Sequence, residues 1–380
     1  MWKKRQDGSE SRQSHYCPIL NVLLFLLFLY LFLVSIELLG YSFKLLGRGF
    51  AEGLLSTTSN PLVGLFLGIL ATSIVQSSSA TTSIVVGLVA AGQNALPLAN
   101  AIPIIMGANI GTSVTNTMVS IAHITRPREF RRAFASATVH DFFNMLSVAV
   151  FLPIELTTHY LQRSALFLQG IFAGVGGFKL ISPLKTIVKP AVKLIAYLVG
   201  FTSSNQKMIA VICLVIALIL LFYSLSRLVK LMKRVIIGKV ERLIHNYLFS
   251  SPLRSFVFGI LLTALVQSSS VVTSLAVPLV GAGILTIEQI FPYTLGANIG
   301  TTVTAMMASL VTQSPAAIAT ALVHLLFNIS GTILWFPLRK VPISMAKWFG
   351  GIAYKRRAIA IVYIIVAFYV IPLGLSFIAK

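Results

Sequence analysis

The chain has 380 residues, of which 57% are apolar and only 10% charged, and its mean hydropathy is +0.90. A soluble domain carries about 25% charged residues, so a soluble globular enzyme is excluded, as are a disordered and a collagen-like chain. Thirty basic residues against nine acidic leave a net charge of +21. In a soluble protein that excess points to nucleic acid. Here the basic residues stand between apolar runs and read as topology signals, which makes the lipid bilayer, not nucleic acid, the partner.

A crossing helix takes ~20 apolar residues. Residues 1–17 are a basic, polar tail, expected in the cytoplasm. The apolar run from Ile19 to Leu39 is too long for a signal h-region and no A-x-A site follows it, so an uncleaved first helix is expected over 19–40. Further crossings are expected near 132–154, 207–226, 316–338 and 358–378. The stretches 61–92 and 252–283 are apolar but interrupted by QSSS, and 97–124 and 286–312 are interrupted by GANIGT. Each of these reads as either a re-entrant hairpin or an interrupted crossing. Residues 41–58 and 228–250 read as amphipathic segments at the interface. The linker 161–206, with Lys179, Lys185, Lys189 and Lys193, holds either no crossing or two. Cys17 and Cys213 suggest neither a disulfide framework nor a metal cluster. Glu37 and Glu155 read as solvated residues near helix ends.

Internal duplication organises the chain. PLVGLFLGILATSIVQSSS (61–79) matches PLRSFVFGILLTALVQSSS (252–270) at eleven of nineteen positions. GANIGTSVT (107–115) matches GANIGTTVT (296–304) at eight of nine, and VHDFFN (139–144) pairs with VHLLFN (323–328). The order is the same in both halves, giving a first repeat over 18–160, a second over 207–340, and a basic segment with a last helix over 341–380. The basic clusters alternate between the halves. Lys3, Lys4, Arg5 and Arg12 precede the first helix, whereas Arg227, Lys230, Lys233, Arg234, Lys239 and Arg242 follow its counterpart. Arg126, Arg128, Arg131 and Arg132 stand where the second half has uncharged TQSPAA. Arg339, Lys340, Lys347, Lys355, Arg356 and Arg357 stand where the first half has only Arg163. If basic loops stay in the cytoplasm, the repeats are inserted upside down relative to each other. The expected fold is an all-α polytopic membrane protein, with two inverted-topology repeats whose broken or re-entrant helices surround a central site.

Irregular backbone within a bilayer is tolerated where it is buried in protein or lines a cavity. Helix N-termini offer N–H groups to anions, and C-terminal ends and freed carbonyls coordinate cations. Gln76, Ser77, Ser78 and Ser79, with Gln267, Ser268, Ser269 and Ser270, supply two amides and six hydroxyls. Asn109, Thr112, Ser113, Asn298, Thr301 and Thr302 add more polar groups, and Gly107, Gly111, Gly296 and Gly300 are read as permitting tight backbone. The motifs contain no Lys or Arg, so an anion entering the site needs a co-bound cation held by oxygens. Asp141 brings the one formal negative charge of the motif set, and its counterpart is Leu325, so this cation site should be unpaired. His140 and His324 stand one turn before Asn144 and Asn328. The histidines read as packing residues bonded to backbone carbonyls, and the asparagines as ion ligands.

At these residues the sequence resembles a bacterial member of the type II sodium-phosphate cotransporter family. The shared features are QSSS with GANIGTS, EFRRAFASATVHDFFN (129–144), the second QSSS with GANIGTT, and FNISG (327–331) followed by Trp335. The resemblance implies a multi-pass protein of the plasma (bacterial inner) membrane that takes up inorganic phosphate with sodium ions as co-substrate and no other cofactor. It implies phosphate binding by the two QSSS motifs together with Asn109, Thr112, Ser113, Asn298, Thr301 and Thr302. It implies sodium coordination drawn from Gln76, Asn109, Thr115, Asp141, Asn144, Gln267, Asn298, Thr302 and Asn328. In the family the Asp of VHD accompanies electrogenic transport, so Asp141 suggests electrogenic coupling. The large cysteine-containing loop of animal members is missing between the halves, and Met145 stands where many members have Trp. A sodium-coupled carrier of a small carboxylate is the competing transporter reading. An intramembrane serine hydrolase using His140 or His324 lacks a G-x-S-G segment, and a scaffold would tolerate loss of the motif serines.

Overall fold

The computed structural model describes residues 18–46, 58–92, 95–174, 177–203, 205–243, 249 and 251–378. Among these residues every regular element is helical. Seven helices are long and apolar enough to cross a bilayer: Leu20–Leu46, Leu98–Ile121, Pro127–Thr158, Gln206–Arg227, Ile287–Thr312, Pro315–Trp335 and Ala358–Ser376. The chain is thus an all-α polytopic membrane protein. The tail residues Lys3, Lys4, Arg5, Arg12 and Cys17, and positions 47–57 of the first interfacial segment, lie outside the described residues.

The first half contains α1 (Pro18–Leu46), α2 (Pro61–Val75), α3 (Ser78–Val89), α4 (Leu98–Thr112), α5 (Val114–Ile121) and α6 (Pro127–Thr158). The linker forms α7 (Tyr160–Gly174) and α8 (Gly177–Gly200), neither of which meets the crossing criterion of length and apolarity. The second half contains α9 (Gln206–Leu243), α10 (Pro252–Val266), α11 (Ser269–Ala282), α12 (Ile287–Thr312) and α13 (Pro315–Trp335). Then come α14 (Lys340–Lys355), α15 (Ala358–Ile365), a π turn at Val366–Val370 and α16 (Ile371–Ile378). The helix starts follow local chemistry. Asn60, Ser251 and Ser314 each accept a bond from a first-turn N–H just ahead of a proline, and Thr286 forms a reciprocal capping box with Gln289, so donors left free at a helix start are satisfied. Residues 228–243 do not form a separate interfacial segment. They extend α9, which at 1.5 Å per residue runs about 57 Å.

Glycine contacts fix the helix directions. Along α2, Gly64 faces Asn100, Pro103 and Ile104, and Gly68 faces Ile104 and Ala108. Gly107 in turn faces Leu65 and Ile69, and Gly111 faces Ile69 and Thr72. Both sequences climb together, so α2 and α4 run parallel, and α3 must return between them. The 61–92 stretch is therefore a hairpin that turns at QSSS, and 98–121 is long and apolar enough to cross a bilayer. The second half repeats this arrangement, with Gly259 against Tyr293 and Ala297, Gly296 against Phe256 and Ile260, and Gly300 against Ile260 and Thr263.

These contacts correct the expected role of the GANIGT glycines. The second GANIGT lies within the continuous α12, and the first half breaks only after its motif, at Ser113. None of the four glycines has a positive φ. A Cβ at Gly107 would sit 2.0 Å from the Leu65 carbonyl oxygen, and at Gly296 2.0 Å from that of Phe256. The motif is a flat helix face that lets two backbones touch.

The two halves run oppositely. Asn116, Thr117 and Asn109 meet His140, Asp141 and Asn144 respectively, so α6 is antiparallel to α4 and α5. Arg131 and Arg132 of α6 share a cavity with Thr286–Glu288 at the start of α12. Eleven residues or so later His140 and Asn144 reach Asn298, so α6 and α12 run the same way. The matching helices α4 and α12 therefore point in opposite directions.

Candidate functional site

The polar breaks fall at Gln76 and Gln267. Both are left-handed C-caps, with φ 54° and 60°, a conformation uncommon in residues other than glycine. Each ends its helix with an N–H bond to a threonine carbonyl one turn back, Thr72 at 2.7 Å and Thr263 at 2.8 Å. Ser77 and Ser268 then cap the returning helices, accepting from Ala80 N at 3.2 Å and Val271 N at 3.4 Å. The N-termini of α3 and α11 thus open at the two turns, which suits an anion. The turns also meet. Ser79 Oγ donates to the Gln267 carbonyl at 3.2 Å, and Ser270 Oγ to the Thr112 carbonyl at 3.4 Å.

The two turns differ in their surroundings. Gln267 is buried, and its Oε1 accepts from Thr304 Oγ1 at 2.6 Å, while its Nε2 donates to the Ala264 carbonyl. Gln76 is exposed, and among the described residues its Nε2 reaches only the Met118 sulfur at 3.4 Å. Thr115, the counterpart of Thr304, has a buried hydroxyl with no partner among the described residues.

A directional chain of bonds joins the halves. Thr273 Oγ1, whose proton is shared between the Ser269 carbonyl (2.8 Å) and Asn116 Oδ1 (3.0 Å), starts the chain, and Asn116 Nδ2 donates to His140 Nδ1 (3.1 Å). His140 Nε2 donates to Asn298 Oδ1 (2.7 Å), Asn298 Nδ2 to Asn144 Oδ1 (2.7 Å), and Asn144 Nδ2 to the Asn109 carbonyl (2.8 Å). The acceptor role of Nδ1 places the ring proton on Nε2. In the opposite sense, His324 Nε2 pairs with Asn109 Oδ1 at 3.3 Å. Each histidine therefore binds the GANIGT asparagine of the other half, not a backbone carbonyl as the sequence suggested. The partners lie 158 and 215 residues away, beyond any local signal.

Asp141 is fully buried. Its Oδ2 accepts from Thr117 Oγ1 at 3.1 Å and from the Tyr363 hydroxyl at 2.9 Å, while no donor among the described residues reaches Oδ1. Asn328 Nδ2 donates to the His324 carbonyl at 3.0 Å, and its buried Oδ1 likewise has no partner. Thr112 and Thr301 donate to the carbonyls four residues back, and Ser113 and Thr302 to those three back. Such hydroxyls keep lone pairs for a cation but no proton for an anion. Ser78 and Ser269 are buried, with no side-chain bond among the described residues. The residues missed from the sequence are Asn116, Thr117, Thr273, Thr304 and Tyr363. Asn116 stands two turns after Asn109, a spacing that could have revealed it.

Two of the remaining expectations fail. Glu155 is not solvated. It is buried and accepts from the Leu161 and Gln162 amides at 2.6 and 3.3 Å, capping α7. Glu37 lies in the body of α1, half-buried.

Oppositely directed half-length hairpins that meet through polar turns inside a helical membrane bundle define a transporter-like architecture with discontinuous helices. The family model described as "Na+/Pi-cotransporter" matches residues 31–180 and 220–380, and the chain belongs to that family. It is 37% identical over 470 residues to the sodium-dependent phosphate transport protein 2B of Homo sapiens, covering 99% of this chain and 68% of that protein. It is 38% identical over 427 residues to protein 2A of Rattus norvegicus (93% and 67%) and 37% identical over 451 residues to protein 2B of Pongo abelii (94% and 65%). The chain thus spans about two thirds of the length of these curated relatives. No solved structure matches it.

Proposed function

We propose that the protein is a secondary active symporter that couples sodium influx to uptake of inorganic phosphate, electrogenically and by alternating access. The observation that carries this reading is the meeting of the two QSSS turns. Two helix N-termini and the hydroxyls of Ser78 and Ser269, unbonded among the described residues, stand where no cationic side chain of those residues bonds to the motif. The relatives' names support sodium and phosphate as the transported pair.

In this reading Gln76, Ser77, Ser78, Ser79, Gln267, Ser268, Ser269 and Ser270 face phosphate, with Asn109 and Asn298 beside them, whereas Thr112, Ser113, Thr301 and Thr302, expected from the sequence to bind phosphate, give their protons to backbone carbonyls and offer only lone pairs to the cations. Sodium is drawn to Thr115, Asp141, Asn144, Asn328, Thr302 and the shared amides of Gln76, Gln267, Asn109 and Asn298. Neutral donors alone leave a multivalent anion uncompensated in a medium of low dielectric, so the cations travel with it. The two repeats, 18–160 and 207–340, sit inverted in the plasma membrane with the tail and basic clusters cytoplasmic. The opposite directions of α4 and α12 support that arrangement, and the unequal exposure of Gln76 and Gln267 supports access from one side at a time. Transport, not catalysis, fits the site. None of the six motif serines bonds to His140 or His324 among the described residues, so no serine has a base. The test is uptake of radiolabelled phosphate into proteoliposomes under an imposed sodium gradient and a controlled potential. Accumulation that is equal in choline medium would falsify the proposal.

A further inference from the structure

Read from its sequence, the last helix has no role beyond crossing the membrane. The fold brings it to the carboxylate. Tyr363, on α15 and outside both repeats, donates to Asp141 Oδ2 at 2.9 Å. Thr117 donates to the same oxygen at 3.1 Å. Two donors on one oxygen make the two oxygens inequivalent. Oδ2 is fixed, and the carboxyl plane with it, while Oδ1 is buried with no partner among the described residues. A buried carboxylate oxygen left unpaired is more costly than an unpaired hydroxyl or amide, so among the unpartnered groups of this site it is the one that most calls for a ligand. The ligand chemistry that suits a bare carboxylate oxygen beside hydroxyl and carbonyl oxygens is a hard cation.

The tyrosine is held firmly in its pose. Its ring packs against Phe349, Phe368 and Phe134, with centroids 4.9, 5.8 and 6.4 Å away. Three residues on, the helix passes through the π turn Val366–Val370, a departure from α geometry often found at functional sites. From that turn the Tyr369 hydroxyl donates to the Ser73 carbonyl at 3.1 Å, three residues before Gln76. One helix thus touches both the acid of α6 and the arm of the first QSSS hairpin. The second half has nothing equivalent, because Leu325 replaces the acid.

We propose that Tyr363 is a positioning residue for the cation site at Asp141, orienting the carboxyl so that Oδ1 faces the ion. This rests on the sodium-coupled reading above and names a residue that the repeats themselves do not contain. The geometry separates it from a packing role, since phenylalanine keeps the ring contacts and removes only the donor.

The experiment is a double-mutant cycle in proteoliposomes, with sodium titrated at saturating phosphate and phosphate titrated at saturating sodium. Tyr363→Phe is expected to raise the half-saturating sodium concentration about ten- to a hundredfold, the loss expected for one hydrogen bond to a charged group, and to leave half-saturating phosphate unchanged. In an Asp141→Gly background the same substitution should change nothing further. Thr117→Val removes the other donor to Oδ2 and should shift the sodium curve in the same direction. A Tyr363→Phe sodium curve that coincides with wild type, or an equal shift with and without Asp141, would overturn the proposal. Wild-type protein without sodium-dependent uptake would instead overturn the functional reading on which it rests.

Discussion

The glycine faces of the two hairpins yield a prediction with an internal control. Gly64 and Gly107 lie in the same α2–α4 contact and both lack a positive φ. A methyl group added at Gly64 meets its nearest neighbours at 3.5 Å, which is ordinary contact. At Gly107 it would lie 2.0 Å from the Leu65 carbonyl oxygen and 2.9 Å from Ile69 N, both backbone atoms that no rotamer change can move. Helix propensity favours alanine over glycine by about 0.8–1.0 kcal/mol at either site. Overpacking costs typically ~1–3 kcal/mol and more where backbones collide. Gly64→Ala should therefore be neutral or slightly stabilising, while Gly107→Ala should be destabilised by ~2 kcal/mol or more once the propensity gain is overcome. Gly107→Ala should also disturb uptake, because Asn109 and Thr112 shift away from their partners across the site. The assay is thermal unfolding in detergent, read by size-exclusion recovery, alongside phosphate uptake. If the two variants melt together, the close helix contact inferred from the motif is wrong.

Four other expectations follow from the same geometry. Gln267→Ala, which removes the acceptor of Thr304, should abolish uptake without lowering expression, and Thr304→Val should fall between it and wild type; full uptake by Gln267→Ala removes that residue from the site. His140→Ala and Asn298→Ala should each cost about 1–3 kcal/mol, because each leaves a buried partner unpaired. Their combination should cost less than the sum, and additive melting shifts would show that the cross-repeat bond carries no coupling. Asp141→Gly should reduce the charge moved per phosphate while leaving some transport, and unchanged currents at equal uptake would contradict its role. Glu155→Ala, which deletes the cap on α7, should lower stability by about 0.5–2 kcal/mol without shifting the sodium dependence. A shift there would mean that this acid acts on the site and not on the fold.

What could be read in the sequence is what repetition exposes. The two QSSS turns, the two GANIGT faces and the crossings follow from local patterns copied twice. The glycines were misread because a glycine serves either positive φ or close backbone approach, and sequence alone does not separate these. The residues that do adopt positive φ at the breaks are Gln76 and Gln267, whose type gives no such hint. Glu155 looked solvated because the chain reverses at His159, itself left-handed with φ 54°, and so folds the first amides of α7 onto the carboxylate. The partners of His140 and His324 were hidden for a different reason. Each lies on the opposite half, and pairing across an inverted duplication leaves no spacing to read.

The departures from symmetry point to one side of the site. Asn116, Thr117 and Asp141 of the first repeat correspond to Ala305, Met306 and Leu325 of the second. The first three carry the bonds to His140 and the carboxylate, and their counterparts are apolar. Conversely Gln267 is latched by Thr304, while Gln76 stands exposed and Thr115 has no partner among the described residues. Two equivalent turns suit an anion, which needs donors from both sides and little preference between them. A single buried carboxylate suits one cation and leaves no place for a symmetric second. In the proposed reading the duplication accounts for a shared anion site, and the substitutions confined to one copy account for charge coupling. Restoring symmetry by replacing Asn116, Thr117 and Asp141 with the residues of the second repeat should then remove the voltage dependence of transport before it removes phosphate recognition.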